Sequence, residues 1–527
     1  MNINKDDLKK FIWLSPAVIA FLLALIPTLK YQWPLSWDVI YHVILADVYA
    51  KYGLVFTNPL INVPYGGSIG YPPLFHLLIA ALGILFKTDF FQITRFLQPF
   101  LVMFLVLSVT YVGRKFYGNL AGISAGFLVL SSLILGTRLI YPLPENLALI
   151  FLPLSVYYYY CSITEKSFKY GILAGFLFII TLLTHQAVPI VLFLVITAFT
   201  LVELFLYRDI QVIKNYGAFL LLPVLLLAVG VTVLSATFPD VFTNLLNNGH
   251  MEINQIILSN SLNQPINLLS YGKLGILTGI FALIGAVFAL KRRQKKDIFI
   301  FTWIIMVFLL INANLFGVNI LSFRLLTYIL IPVSILGGFG LSQVYYKLKD
   351  YERFSSQNFR TTFLISMLAL ATFSGVIVME NPQIAYNNIE NQYGTLQITP
   401  TDSMVDLANW FDKNGNKNKT ILTNNPYVGT FITAKTSMPL SGDDFGEFTS
   451  SPSLKQYFKE IGIGYVVLDK RLSFQSTNGT FYRVKYDGAM YPLFYYSGDI
   501  HSNLDEILPN FATVAYENKD FIVLSLR

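Results

Sequence analysis

Tyr71-Pro72-Pro73-Leu74-Phe75-His76 opens an apolar stretch that runs about 16 residues, to Phe86. Whether it crosses a membrane decides the topology of everything after it. Elsewhere, uninterrupted apolar stretches fall near 11–30, 96–112, 119–137, 145–163, 171–186, 187–206, 216–236, 274–290, 298–313, 325–346 and 361–379, about eleven in all. Each suits a helix crossing a hydrocarbon core roughly 30 Å thick, and lipid requires backbone groups to be satisfied within the segment. Lys and Arg concentrate in cytoplasmic loops. With the N-terminus inside, the inner loops carry Lys5, Lys9 and Lys10; Arg114 and Lys115; Lys166 and Lys169; Arg208 and Lys214; Lys291 to Lys296; and Lys347, Lys349, Arg353 and Arg360. Counting Tyr71–Phe86 as a span would put the Lys291–Lys296 cluster outside. The stretch is therefore read as a helix lying at or re-entering the outer interface, and 31–95 becomes one long external loop.

Composition supports the class. The chain has 527 residues, of which 54% are hydrophobic and only 13% charged, where a soluble domain carries about 25% charged residues. The net charge of +7 is accounted for by the short inner loops, so nucleic acid is not implied. The one cysteine, Cys161, excludes a disulfide framework and a cysteine metal site. The first apolar run lacks a small-residue cleavage site and is read as a retained span.

From about 381 the composition turns polar and α/β-patterned. Asp402–Asn414 and Ser453–Ile461 read as helices, Tyr465–Leu468 and Phe521–Leu526 as strands. The fold class expected is a polytopic α-helical membrane domain over 1–380, with about 11 spans, followed by an extracytoplasmic α/β domain over 381–527. The sequons at Asn418 and Asn478 agree with an outer location.

Asp38, in Trp33-Pro34-Leu35-Ser36-Trp37-Asp38-Val39-Ile40-Tyr41-His42, lies just past the first span. A carboxylate at a membrane interface is costly unless solvated, paired or in use. In a helix over 36–52, Asp38, Tyr41 and His42 share one face and Asp47 points away; the plain alternative is that Ser36 or Asp38 caps the helix. A second acid, Glu145, opens a helix after Arg138-Leu139-Ile140-Tyr141-Pro142-Leu143-Pro144, where its charge suits the helix dipole. His185 ends the fifth span, and His250 and Glu252 fall in the outer loop 237–271. Arg95, Arg138, Lys273 and Arg324 sit at outer span ends, against the charge rule. Snorkelling explains one or two; several at one depth would bind phosphate with planar forks of donors. Arg138 and Arg324 are the pair expected to converge near Asp38 and Glu145.

These parts in this order resemble the C-type glycosyltransferases (GT-C) that use polyprenyl-phosphate sugar donors, among them protein mannosyltransferases, aminoarabinose transferases and oligosaccharyltransferase catalytic subunits. Trp37-Asp38-Val39-Ile40-Tyr41-His42 is similar to the acidic motif of the family's first external loop, Tyr71-Pro72-Pro73-Leu74 to its Pro-Pro-Leu segment, and Pro144-Glu145 stands where the second acidic motif falls. Arg95 and Gly113-Arg114-Lys115-Phe116-Tyr117-Gly118 also fit the pattern. The resemblance covers residues 1 to about 200 and is architectural beyond. The Trp-Trp-Asp-Tyr-Gly motif of oligosaccharyltransferases is absent, and Val39 stands where mannosyltransferases place a second acid, so the superfamily is implied and not a branch.

The resemblance implies transfer of a sugar or glycan, on the outer face of the cell membrane, from a polyprenyl- or dolichol-phosphate donor to a protein, lipid or glycan acceptor. With the residues read above, Asp38 and Glu145 are the candidate catalytic acids and Arg138, Arg324 and Arg95 the candidate donor-phosphate groups, with His42, Tyr41, His185, His250 and Glu252 as candidate accessory groups. In a metal-assisted reaction, Asp38 and Glu145 would hold a divalent cation, Mg2+ or Mn2+. Two rivals stand beside it: a transporter or flippase for lipid-linked sugars, whose site would favour the bilayer midplane, and a non-catalytic relative whose external domain binds partners.

Overall fold

The computed structural model describes residues 11–240, 242–243, 265–380, 400–442, 445, 454–474, 479–484, 492–507 and 511–526. The chain divides into two compact units, Met1–Lys30 with Leu97–Ala385, and Tyr31–Phe96 with Tyr386–Arg527.

The first unit is helical. Seven helices of the described chain are long and apolar enough to cross a membrane. An eighth is reached if Leu268–Leu274 and Ile276–Arg292, bent by 95° at Gly275, are one broken span. Helices cover every apolar stretch expected to span, but not all at spanning length. Asn119–Leu130 has 12 residues and Phe168–Thr184 has 17. The 119–137 stretch breaks because its serines hydrogen-bond locally: Ser131 Oγ donates to the Leu128 carbonyl, and Ser132 Oγ accepts from the Ile134 N–H.

Ser322–Lys347 is the central helix and is buried along nearly all its length. Two glycines let its neighbours approach. A Cβ at Gly338 would meet the Ala121 carbonyl at 2.2 Å, and one at Gly340 the Phe281 carbonyl at 2.0 Å. Small residues are how apolar helices close on each other where no water drives association. Leu128, Phe281 and Leu341 pack together at this junction. Gln211–Thr237, by contrast, leaves nearly all its apolar surface exposed, as a lipid-facing helix does.

At the Lys291–Lys296 turn, Asp297 accepts from Arg292 Nε at 3.0 Å, Arg292 Nη2 at 2.5 Å and the Gln294 N–H at 3.0 Å. Arg292 also lies over the rings of Phe339 and Tyr117. One acid thus orders a turn that its basic residues alone would splay.

The second unit joins the first loop to the C-terminal region. The loop forms helix Asp38–Tyr52, a short ribbon pairing Thr57–Asn58 with Gly67–Ser68, and helix Leu74–Phe86. That helix has 13 residues, or about 20 Å at 1.5 Å per residue, too short for the hydrocarbon core. Lys87 ends it in a left-handed conformation. Within the unit, the Leu440 N–H donates to the Leu60 carbonyl at 2.8 Å, and Lys435 pairs with Asp89 at 2.9 Å. Ser437 Oγ donates to Asp47 at 2.8 Å, and Lys51 pairs with the same carboxylate. Asp47, set aside on helical geometry, therefore has a structural role.

The C-terminal region carries helix Asp402–Asn414, capped by the Thr401 hydroxyl, and helix Leu454–Ile461. A four-stranded sheet runs Thr420–Thr423, Ile463–Asp469, Phe521–Leu526, Ala512–Glu517, the first pair parallel and the rest antiparallel. Ile463–Asp469 is buried at every position, as a central strand covered on both faces must be. Leu422, Val466, Leu468, Ile522 and Leu524 form the core. His250, Glu252 and Asn478 lie outside the described residues.

Candidate active site

In the helical unit, four of the residues named from sequence come together. Chain geometry brings Arg138 back to Glu145. Residues Leu135–Leu139 form a π-turn, closed by the Ile140 N–H on the Leu135 carbonyl at 3.0 Å. Such turns free backbone carbonyls. Asn146, buried at the first turn of Pro144–Thr164, collects them: its amide nitrogen lies 2.9, 3.2 and 2.7 Å from the carbonyls of Arg138, Leu139 and Tyr141. Pro144 pre-sets the first helical position. Arg138 then donates from Nε at 3.0 Å and from Nη2 at 2.6 Å to the same oxygen, Glu145 Oε2. Glu145 is thus more than a charge on a helix dipole: it is 2% exposed and paired.

Arg324 and His185 complete the group, both within electrostatic reach of Glu145. His185 has a fixed tautomer. Its Nδ1 accepts from the Ala187 and Val188 N–H groups at 3.2 and 3.4 Å, so it caps the next helix and carries its proton on Nε2. Tyr328 was not read from the sequence. It lies one turn after Arg324 on the same face of the central helix, fully buried, and its hydroxyl faces Glu145 without closing a regular hydrogen bond. The signal was the Arg-x-x-x-Tyr spacing, hidden because a tyrosine in an apolar helix reads as packing.

In the second unit Asp38 is the first residue of its helix and is exposed. The capping alternative does not hold. The N-cap is Trp37 and no side chain caps the helix, while Ser36 takes a positive φ of 88° and offers only its carbonyl. Among the described residues the Asp38 carboxylate has no hydrogen bond or ion pair. Trp37 packs on Tyr427, and Trp33 on Phe91 and Phe431, so the loop leading to Asp38 is anchored by aromatic rings. Arg95 donates to Gln92 at 3.0 Å and lies over Phe96.

One turn past Asp38, His42 is buried, and its Nδ1 lies 2.9 Å from His76 Nε2. Tyr41, Tyr71, Phe75 and Tyr49 ring the pair. Burial pushes the His76 pKa down from 6.5 to about 4, only partly offset by the Pro72 carbonyl. With the folded pKa below the unfolded value, the unfolded chain binds the proton more readily. The structure is therefore expected to hold its stability above pH 6.5 and to lose it as the pH falls toward 4. Unfolding of the purified protein in detergent across that range, compared with His76→Gln, checks this. Equal slopes for the two would remove the histidine from the account.

No protein-family profile matches the chain, and no curated protein matches it by sequence. Solved structures do. The crystal structure of ArnT from Cupriavidus metallidurans, bound to undecaprenyl phosphate, superposes with a TM-score of 0.63 at 12% identity, over 98% of this chain and 97% of that one. The fold is that of the C-type glycosyltransferases. The Archaeoglobus fulgidus oligosaccharyltransferase AglB, in complex with an inhibitory peptide and a dolichol-phosphate, gives 0.57 at 16%, over 88% of this chain and 70% of that one. The mycobacterial arabinofuranosyltransferase AftD gives 0.59 at 14%, over 98% of this chain and 40% of that one. Fold and apolar helices together make the chain an integral membrane protein.

The Archaeoglobus enzyme has also been solved with Zn and sulfate. Here, no group of three or more His, Cys, Asp or Glu side chains among the described residues could hold a metal ion. Glu145 gives both Arg138 contacts to one carboxylate oxygen, Oε2.

Proposed function

We propose that the protein is a glycosyltransferase that moves a sugar or glycan from a polyprenyl-phosphate donor to an acceptor on the outer face of the membrane. The observation that carries the reading is the cluster of buried Glu145 with half-buried Arg138, Arg324 and His185. Residues from three separate stretches of sequence, 138–145, 185 and 324, meet at span ends, inside a unit with a glycosyltransferase fold. Charges at one end of the spans suit chemistry at a face better than passage through the midplane.

Each group has a task. Asp38 takes the proton of the acceptor hydroxyl or amide, which then attacks the anomeric carbon. The bond from that carbon to the phosphate oxygen breaks, and the lipid phosphate leaves. Arg138 and Arg324 balance the charge that develops on the leaving phosphate. Glu145 holds Arg138 in place, and Asn146 holds the turn that carries it. No step is routed through a cation. Purified protein in lipid, supplied with polyprenyl-linked sugar donors, should release lipid phosphate; no release from any such donor class would refute the proposal.

The same reading sets the N-terminus inside, 381–527 outside, and about eleven apolar stretches across the membrane, the 119–137 stretch crossing as a helix continued by its π-turn. A cysteine introduced at Lys87 is then expected to react with an impermeant thiol reagent from outside only, and one at Arg293 from inside only. Labelling of position 87 solely from the cytoplasmic side would make Leu74–Phe86 part of a crossing and reverse every later loop.

A further inference from the structure

We propose that Lys296 and Arg292 form a binding site for the headgroup phosphate of an anionic phospholipid, at the end of the helical unit away from Arg138 and Glu145. The site lies outside the transfer reaction and does not depend on it.

Three helix ends meet there. Tyr117 is the last residue of Phe90–Tyr117, Arg292 the last of Ile276–Arg292, and Lys296 the second of Lys295–Ile311. The central helix supplies Phe339, whose ring stacks on Tyr117 with centroids 4.4 Å apart. Arg292 lies 4.4 Å from the Phe339 ring centre and 5.3 Å from that of Tyr117, and Lys296 lies 5.5 Å from the Tyr117 centre. Along the central helix, Arg324 and Phe339 are roughly 22 Å apart at 1.5 Å per residue. The aromatic pair and its two cations therefore sit near the opposite edge of the hydrocarbon core, where lipid headgroups begin.

The acids of this end are already committed. Asp297 Oδ1 accepts from Arg292 Nη2 and, at 3.1 Å, from the Tyr117 hydroxyl; Oδ2 accepts from Arg292 Nε and the Gln294 N–H. The fully buried Glu203 pairs with Lys295 at 2.7 Å. Lys296 is left over. It is half-buried, and among the described residues its ammonium makes no hydrogen bond or ion pair. A ring face steadies one side of an ammonium but accepts none of its protons in a regular hydrogen bond. A partly dehydrated cation with unmade bonds is what an incoming anion relieves.

The chemistry of that anion follows from the donors. Lys296 offers its ammonium, and Arg292, with Nε and Nη2 spent on Asp297, offers Nη1. Two charged donors on adjacent helices suit the two non-bridging oxygens of a phosphodiester. A lipid is the source that the surroundings favour. Leu283, Val287 and Leu290 form an exposed apolar stripe on Ile276–Arg292 that ends within a turn of Arg292, and acyl chains can lie along it. Basic pockets between spanning helices take anionic headgroups in this way.

Native mass spectrometry of the purified full chain in detergent, titrated with dioleoyl phosphatidylglycerol or dioleoyl phosphatidylcholine, reads the site. The wild type is expected to bind its first phosphatidylglycerol at least about fivefold tighter, the worth of one cation at an anionic headgroup. Lys296→Gln should bring the two lipids to parity, and Lys296→Arg, which keeps the charge, should keep the preference. Lys291→Gln removes the same charge from an exposed position of the same turn and should leave the preference intact. Equal affinity for the two lipids in the wild type overturns the site. An equal loss in Lys291→Gln and Lys296→Gln also overturns it, since the response is then the field of the whole basic turn. Inorganic phosphate that displaces the phosphatidylglycerol at equal concentration overturns the lipid as the ligand's source. None of these outcomes touches the role of Arg138 or Arg324, which release of lipid phosphate from sugar donors tests separately.

Discussion

Asp38→Asn is expected to lower turnover by roughly 10²–10⁴-fold, the usual worth of a positioned general base, while leaving expression and unfolding temperature near wild type. The two halves of this expectation come from one observation. Asp38 is exposed, caps nothing and pairs with no described residue, so its removal costs the fold only a small favourable interaction with the helix dipole, under about 1 kcal/mol. A surface carboxylate at the start of a helix has no structural task that asparagine would fail to perform. Its loss should therefore register in the reaction alone. The discriminating measurement is release of lipid phosphate at saturating donor, read beside thermal unfolding of the same preparation. Near-normal turnover in Asp38→Asn would make the residue a helix-end charge and return the choice of base to the remaining carboxylates.

How far the sequence led differs between the two parts of the site. The helical class, the polar C-terminal region and the short Leu74–Phe86 helix followed from apolar run length and charge alone. These are one-dimensional quantities, and lipid leaves the chain few alternatives. The elements of the C-terminal region were legible for a related reason. Asp402–Asn414 has a hydroxyl cap and a strong apolar face, and Ile463–Asp469 is an unbroken buried run. Span lengths were less legible, because serine side chains at 131 and 132 end a helix inside what reads as one apolar stretch.

The site itself was half visible. Arg138, Glu145 and Arg324 stood out as charges at outer span ends, and His185 as a histidine at the end of a span. The device that joins them did not. A π-turn and an asparagine amide bridging three carbonyls depend on a backbone path that no local pattern encodes. Tyr328 and the His42–His76 pair were missed for a different reason. Aromatic and imidazole rings in apolar surroundings look like packing until a partner is seen across the fold, and His76 is 34 residues from His42. Electrostatic exceptions are readable from sequence; the neutral groups that orient them are not.

Arg138→Met is expected to destabilise the protein by about 3–5 kcal/mol, the cost of stripping a buried carboxylate of its partner. The pair is close to that limiting case. Glu145 keeps 3% of its side-chain exposure and takes both Arg138 contacts on one oxygen, at 3.0 and 2.6 Å. Arg324 acts on the same carboxylate from the central helix but forms no ion pair with it among the described residues, so it can soften the loss without cancelling it. The double variant Arg138→Met with Glu145→Gln removes both charges and is expected to recover most of the stability, since a buried pair exchanged for neutral groups of similar size is often nearly neutral. Recovery would show that the pair contributes little net stability, and that its presence has another cause. Arg138→Lys separates that cause from folding. Lysine keeps the charge beside Glu145 but loses the planar fork, so unfolding should move by less than in Arg138→Met while donor affinity still falls. If Arg138→Lys binds and turns over polyprenyl-phosphate donor like the wild type, the guanidinium is an anchor for the π-turn and the donor phosphate must be held elsewhere.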